Sequence, residues 1–209
     1  VEHFNAYTGW QYTDKLVFWG GSAGEGLILA PAAPVIDAAH RNGVPVLGNV
    51  FFPPTAYGGQ FHWVQTFLQK SGTTFPVADK LIEVARTYGF DGWFINQETA
   101  GGSSTHAAAM RDFIIYFRSQ APELQIMWYD AMTESGSIQW QDALTANNDM
   151  FVRYNSQPVA HSMFLDFGWG ATGLTNSRAL AQGLGVDPYS IYAGVDVESA
   201  GSGTTVNWD

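Results

Sequence analysis

The segment from Gly89 to Thr99 carries the residue pair best suited to chemistry, because an apolar, strand-like run ends in two polar side chains. Side chains alternate along a strand, so Asn96 and Glu98 point the same way, roughly 6.5–7 Å apart along the chain. A carboxyl group held in this way is a candidate for proton transfer to or from a substrate. An Asn-x-Glu sequence is more often only a polar strand end before a turn, but the buried-looking strand before it favours a functional site.

A second candidate group follows the apolar run that begins at Met127. Tyr129 and Asp130 have opposite strand parities, so at most one of them points inward if the strand is regular. A tyrosine hydroxyl at a strand end could donate a hydrogen bond to a developing negative charge. A rim aromatic with a solvated hydroxyl fits the spacing equally well.

Aromatic residues are abundant, at 15% of the chain with 8 Trp. Trp19, Trp140, Phe167 and Trp169 lie at or after predicted strand ends, where their faces could stack on sugar rings. For any single one of them, packing in the core is the favoured interpretation. The aromatic content alone therefore does not establish a sugar-binding surface.

Further carboxylates lie late in the chain. Asp196 and Glu198 share a parity after the last predicted strand and could form a carboxylate pair, and Asp166 has a similar position after the strand before it. The five His residues show no metal-ligand spacing, and the chain has no Cys. No Ser-His-Asp arrangement is recognisable either. We therefore predict neither a metal nor a cofactor.

These residues are predicted to be positioned by alternating strands and helices, which is typical of parallel βαβ units. The predicted strands are Leu16–Trp19, Pro45–Phe51, Phe90–Asn96, Leu124–Tyr129, Met163–Phe167 and Ser190–Val195, with Met150–Tyr154 ambiguous. The predicted helices run from near Pro34 to Gly43, from Pro76 to Gly89, from about Ser104 to Gln120 and from about Asn176 to Leu184. Gly- and Pro-rich loops are expected at 20–34 and 52–59.

Six or seven such strands with right-handed crossovers favour a (β/α)8 TIM barrel, an α/β fold that is incomplete at its C-terminal end here. Barrel enzymes build their sites where the strands end, which is where the polar residues lie. A doubly wound open sheet is the competing fold. The glycine-rich stretch 20–26 lacks the Lys and the clean helix start of a phosphate-binding turn, and it is interpreted as an ordinary flexible loop.

Composition excludes some classes of partner. The formal net charge of −10 opposes binding to nucleic acid, which needs clustered basic residues, and to anionic membrane surfaces. No apolar run reaches the roughly 20 residues of a transmembrane helix, and no signal-like segment opens the chain. Localisation is left open between secreted and cytosolic, with a slight preference for secreted.

Several long stretches resemble glycoside hydrolase family 85, the endo-β-N-acetylglucosaminidases that cut between the two core GlcNAc residues of N-glycans. They are 10–14, 20–26, 40–48, 50–55, 90–99 and 127–132. The resemblance runs over most of the chain in order. It implies one catalytic (β/α)8 barrel domain over 1–209, without its last strands or the β-sandwich domains that often follow. It also implies an N-glycan or glycoprotein substrate.

The resemblance assigns roles to residues. Glu98 would be the general acid/base, Asn96 would hold the substrate's 2-acetamido group, and Tyr129 would assist near it. Trp140 and Phe167 would line the glycan groove, with Trp19 as a further aromatic. Because the strand partner of Glu98 is an amide, the acetamido oxygen of the substrate would act as the nucleophile in a retaining, substrate-assisted reaction.

The chain departs from the family at two places. Asp166-Phe167-Gly168-Trp169 stands where an Asn, an aromatic and paired Trp are usual, and Ser199-Ala200-Gly201-Ser202 stands where Arg-Gly-Thr is expected. Two alternatives therefore stay open. One is a retaining glycosidase with a second carboxylate, Asp130 or Asp196, and the other is a barrel that binds glycans without cutting them.

Overall fold

A computed structural model describes residues 7–20 and 26–196 of the chain. Its strands are β1 (Leu16–Val17), β2 (Ile28–Leu29), β3 (Val46–Phe52), β4 (Gly92–Gln97), β5 (Gln125–Tyr129), β6 (Arg153–Tyr154), β7 (Gln157–Pro158), β8 (Ser162–Leu165) and β9 (Ile191–Ala193). Its α-helices are α1 (Ala33–Arg41), α2 (Phe61–Phe67), α3 (Pro76–Tyr88), α4 (Ser104–Gln120) and α5 (Ala171–Leu184). Short 3₁₀ turns lie at Trp10–Tyr12, Thr55–Tyr57, Asp149–Phe151 and Pro188–Ser190.

The main sheet has the order β1-β3-β4-β5-β8-β9, and every neighbouring pair in this order is parallel. β2 pairs antiparallel with β3 beyond the point where β1 stops. β6 and β7 form a separate antiparallel pair. The parallel sheet of the described residues curls into part of a barrel, so the predicted α/β fold class is confirmed.

Strand parity separates two apolar layers. On β4, Trp93 and Ile95 belong to the large cluster packed against the helices, whereas Phe94 belongs to a smaller cluster on the concave face. On β5, Trp128 faces the helices and Tyr129 joins Phe94. The strands are therefore covered on both faces, and this explains why their sequences are nearly continuous apolar runs.

Helix boundaries follow the sequence where the end signals are strong. α3 begins at Pro76 and ends before Gly89, whose φ of 73° is the left-handed conformation that glycine adopts readily. α5 begins at Ala171, five residues before the predicted start. The true start was missed because Gly170, at the N-cap, has no side chain to form a capping hydrogen bond. α2 was not predicted for the same reason, since Gln60 gives no capping bond.

One other prediction about local structure was wrong, and one choice that the sequence left open is resolved. The predicted loop at 20–34 contains β2, whose two residues are too few to produce a readable pattern. The ambiguous run Met150–Tyr154 divides between a 3₁₀ turn and the two residues of β6. Among the described residues, none of the helices has the length and apolar character needed to cross a lipid bilayer.

Candidate active site

Asn96 and Glu98 lie at the carboxyl end of β4, and they point the same way, as alternation predicts. Asn96 Nδ2 donates a hydrogen bond of 2.8 Å to Glu98 Oε1. The backbone N–H of Glu98 donates to the carbonyl of Phe52 at 2.9 Å, which continues the pairing between β3 and β4 past the last residue of β4. The glutamate is therefore held by the sheet rather than by a free loop.

A buried polar network on the opposite side of β4 fixes the turn that follows Glu98. Gln97 is fully buried, donates to the Thr99 carbonyl at 2.8 Å and accepts from the Thr99 N–H at 2.9 Å. Thr99 Oγ1 donates to the Pro53 carbonyl at 2.6 Å. Sequence reasoning missed this support, although an amide on the outward parity of an apolar strand was a usable signal.

The carboxyl group of Glu98 is held by two donors. Besides Asn96, Trp140 Nε1 donates to Glu98 Oε2 at 3.0 Å. Burial raises the pKa of Glu98 above its ordinary value, and the charge of Asp166 acts in the same direction, whereas the bonds from Asn96 and Trp140 oppose the shift. A carboxyl with a raised pKa stays partly protonated nearer neutral pH, which suits a group that must first donate a proton.

Glu98 lines a cavity of about 450 Å³ on the concave face of the sheet. It is lined by Val17, Trp19, Phe94, Asn96, Glu98, Met127, Tyr129, Phe164, Phe167, Val195 and Asp196. Six residues predicted to act in catalysis or substrate binding share this cavity wall, whereas Trp140 and Trp169 are not among its lining residues. The six are Trp19, Asn96, Glu98, Tyr129, Phe167 and Asp196. No Lys, Arg or His is among these lining residues, so within the described chain the charges of the cavity wall are acidic.

The exposed aromatic rings lie around this cavity. Trp19, Trp140 and Phe167 are 43%, 45% and 50% exposed, so part of each ring is accessible to a ligand. Trp19 packs against Phe94 with ring centroids 5.8 Å apart, and Phe167 packs edge-to-face on Phe164 at 6.0 Å. Trp19 and Phe167 are therefore anchored on aromatics of the inner layer, whereas Trp140 is held by its hydrogen bond to Glu98.

Trp169 differs from the other predicted aromatics. Its Nε1 donates to the carbonyl of Gly194 at 2.5 Å, and the ring is not part of the cavity wall. It joins the segment after β8 to the end of β9. This contact favours a structural role for Trp169 over sugar stacking.

Tyr129 points into the cavity, and its hydroxyl donates to Asp166 Oδ1 at 2.6 Å. Burial raises the pKa of Tyr129, and the hydrogen bond to Asp166 raises it further, so the phenol stays protonated. The expected donation to a charge in the cavity is thus replaced by donation to a carboxylate. Asp166 was noticed in the sequence only for its position, although Phe164 and Asp166 share the parity that faces the cavity.

Asp130 is fully buried behind these residues, and its Oδ2 accepts the backbone N–H of Asp166 at 3.2 Å. No described residue provides a hydrogen bond to its Oδ1. Burial raises the pKa of Asp130 from 3.8 to about 7, although the Asp166 N–H opposes this shift.

We predict that Asp130 makes the stability of the folded protein pH-dependent. Its pKa is higher in the folded state than in the unfolded chain, so the folded protein binds more protons between about pH 4 and 7. Its free energy of unfolding should therefore fall as pH rises through this window. Asp130→Asn, which cannot ionise, should show a flatter dependence in thermal melts at pH 5 and 8. Parallel curves for the two proteins would contradict the prediction.

Some predicted features lie outside the described residues. These are Glu198, which was proposed to pair with Asp196, the loop residues 21–25 and the departure at 199–202. Within 7–20 and 26–196, no group of three or more His, Cys, Asp or Glu is arranged to hold a metal ion.

Comparison with known proteins places this geometry in context. The model of the family described as Glycosyl hydrolase family 85 matches residues 1–209. The glycoside hydrolase domain of Endo-D from Streptococcus pneumoniae R6 superimposes with a TM-score of 0.86 at 34% identity, covering 97% of this chain and 32% of that one. A chitinase from Bacteroides thetaiotaomicron, at 9% identity and a TM-score of 0.61, shares the fold alone.

Two curated relatives are cytosolic endo-beta-N-acetylglucosaminidases. The Mus musculus protein is 32% identical over 205 residues, 94% of this chain, and the Gallus gallus protein is 31% identical over 200 residues, 92% of this chain. The chain spans about a quarter of the length of each, 25% in both cases. Because these relatives are named cytosolic, the slight preference for secretion drawn from the sequence was wrong.

Proposed function

The chain belongs to glycosyl hydrolase family 85, and on that premise we propose that it forms the catalytic barrel of an endo-β-N-acetylglucosaminidase. Its substrate is an N-linked glycan or glycoprotein, cut between the two core GlcNAc residues. The observation that carries the proposal is the hydrogen-bonded pair of Asn96 and Glu98 at a strand end, on the wall of a cavity that partly exposed aromatic rings also line. The activity for which the Mus musculus and Gallus gallus relatives are named supports the same proposal.

The proposed reaction uses the substrate as its own nucleophile. The acetamido oxygen attacks the anomeric carbon, the glycosidic C–O bond breaks, and Glu98 gives its proton to the leaving oxygen. A cyclic oxazolinium intermediate results. Glu98, now a carboxylate, takes a proton from water as that water attacks the anomeric carbon. The bond between the anomeric carbon and the acetamido oxygen breaks, and Glu98 is protonated again. The anomeric carbon of the product keeps the configuration that it had in the substrate.

Asn96 supports this route through its carbonyl oxygen. Its Nδ2 is used on Glu98, whereas Oδ1 is buried and accepts no hydrogen bond from any described residue. A buried acceptor without a partner costs roughly 1–3 kcal/mol, and a substrate N–H would remove that cost. The acetamido N–H is the matching donor, and holding it would aim the acetamido oxygen at the anomeric carbon.

Asp196 keeps the two-carboxylate alternative open, because it lines the same cavity as Glu98. Asp130 suits that role less well, since it is fully buried and held by the Asp166 N–H. A thiazoline that mimics the cyclic intermediate separates the two mechanisms. The thiazoline should bind tightly to a substrate-assisted enzyme. A two-carboxylate enzyme should not bind it with any special affinity.

The activity itself is tested by incubating the protein with a high-mannose glycopeptide and weighing the products. The expected products are a peptide that carries a single GlcNAc and a released glycan that ends in the other GlcNAc. Glycan binding without these products would instead support a non-cutting binding barrel. The assay also separates cleavage within the core from release of the whole glycan, which leaves no GlcNAc on the peptide.

We predict that Trp140→Ala weakens glycan binding while destabilising the fold by much less than the roughly 3–5 kcal/mol of a buried Trp. The reason is that the ring is 45% exposed. Loss of its N–H also removes a bond that lowers the pKa of Glu98, so the alkaline limb of the activity profile should move to higher pH. Melting, binding and pH–rate measurements on one variant check all three. A large loss of stability would show that Trp140 is a core residue.

A further inference from the structure

The ring of Tyr129 is fixed, and its hydroxyl proton is already committed. The side chain is 5% exposed and lies between Phe94, edge-to-face at 6.3 Å, and Phe164, stacked at 6.1 Å. The hydroxyl donates to Asp166 Oδ1 at 2.6 Å, a length typical of a bond to an ionised carboxylate. A phenol has one proton, so the remaining hydrogen-bonding capacity of this oxygen is that of an acceptor.

Asp166 is itself held from behind by the segment that follows β5. Its backbone N–H donates to Asp130 Oδ2 at 3.2 Å, and two residues later the N–H of Gly168 donates to Asp142 Oδ1 at 3.1 Å. A Cβ atom at position 168 would lie 2.8 Å from either Asp142 carboxylate oxygen, so a larger residue there would displace the Asp142 side chain. Two aspartates thus fix the backbone on both sides of Phe167.

Asp166 is not part of the cavity wall, whereas Tyr129 is. The Asp166 side chain therefore contacts the cavity wall through its hydrogen bond with the Tyr129 hydroxyl. The polar groups that face Glu98 are Asn96 of β4, Tyr129 of β5, Trp140 of the following loop, Asp166 after β8 and Asp196 after β9. None of these is a cation, so the region around Tyr129 favours a ligand group that donates hydrogen bonds.

We propose that Asp166 is a positioning residue that acts through Tyr129, by taking the phenol proton and presenting the phenol oxygen to the cavity as a hydrogen-bond acceptor. The phenol oxygen of Tyr129 would accept a hydrogen bond from an N–H or O–H group of the sugar bound beside Asn96. This inference rests on the proposed function. Replacement of Asp166 should therefore change sugar binding only as far as Tyr129 carries the effect, whereas loss of its charge also lowers the pKa of Glu98 directly.

The test is a double-mutant cycle over Asp166→Ala, Tyr129→Phe and the double variant. Turnover of the glycopeptide and binding of a GlcNAc-derived thiazoline are both measured. Each single variant is expected to lose about tenfold or more in kcat/KM and in thiazoline affinity, as for a lost hydrogen bond to a charged group. The double variant should be no worse than Tyr129→Phe alone. Asp166→Asn should recover most of the loss, because its amide oxygen still accepts the phenol proton.

Two outcomes would overturn the inference. One is losses of thiazoline affinity that multiply in the double variant, because Asp166 would then act on the ligand independently of Tyr129. The other is an unchanged Tyr129 ¹³Cζ NMR signal in Asp166→Ala, which would mean that the hydrogen bond is not made in solution. Thiazoline binding and NMR do not require turnover, so they judge the inference even if the glycopeptide is not cut. That failure would count against the proposed function alone.

The chain offers a matched control pair on its outer surface. Tyr116 donates to Asp79 Oδ1 at 2.7 Å, between α4 and α3 and away from the cavity. Asp79→Ala and Tyr116→Phe should leave turnover and thiazoline affinity unchanged. If they reduce either quantity as much as the Asp166 variant does, the effect is not specific to the site and the inference is wrong.

Discussion

Glu98→Gln is expected to lower hydrolysis of the glycopeptide by about 10²–10⁴-fold, the usual contribution of a positioned general acid/base. Glutamine can still accept one of the two bonds, from Asn96 or from Trp140, at its amide oxygen, but it has no acidic proton to give to the leaving oxygen. The variant also removes a carboxyl group whose ionised form is disfavoured by burial. The fold should therefore be retained, with a melting temperature at or above that of the unmodified protein.

Turnover and melting temperature are measured on the same preparations. Glu83→Gln is the matched control, because this glutamate lies on the outer surface of α3, with its side chain 64% exposed and paired with Lys80. It should leave hydrolysis unchanged. Hydrolysis by Glu98→Gln within a few-fold of the unmodified protein would remove Glu98 from the catalytic role.

Strand parity explains why much of the fold and the central pair of the site could be predicted. Side chains on a parallel strand have only two directions, so one buried run before Asn96 and Glu98 is enough to place both side chains at one end of the sheet. The same rule allows at most one of Tyr129 and Asp130 to point inward, and in the structure Tyr129 lines the cavity while Asp130 is buried behind it. Local information was sufficient because the strand itself sets the geometry.

The loops between strands could not be predicted in the same way. The bond from Trp140 to Glu98 joins residues 42 positions apart, and the bond from Tyr129 to Asp166 joins residues 37 positions apart. The periodicity of apolar and polar residues in the sequence does not predict such contacts, because they depend on how the loops after β5 and β8 pack together. For the same reason Trp169 could not be separated from Phe167 in the sequence, although only Phe167 lines the cavity.

Asn96→Ala tests the division of labour between the two residues of the central pair. Without the amide, the acetamido group of the substrate loses the acceptor that would aim it at the anomeric carbon. Hydrolysis of intact glycan should fall by at least about 10²-fold, as for a misplaced reacting group. Glu98 keeps its carboxyl group and its bond from Trp140, so it should still activate an incoming hydroxyl.

A preformed sugar oxazoline supplies the cyclic intermediate that Asn96→Ala cannot form. With a GlcNAc acceptor present, the variant should transfer the sugar, and the product should accumulate because cleaving it again requires the lost step. Glu98→Gln, given the same oxazoline, should transfer it poorly, since no carboxylate is left to take the proton of the acceptor. Product is followed over time in both variants and in the unmodified protein. A two-carboxylate enzyme predicts no such difference, because Asn96 would then be only a neighbouring donor. Normal hydrolysis by Asn96→Ala, or failure of the folded variant to use the oxazoline, would therefore exclude the substrate-assisted mechanism.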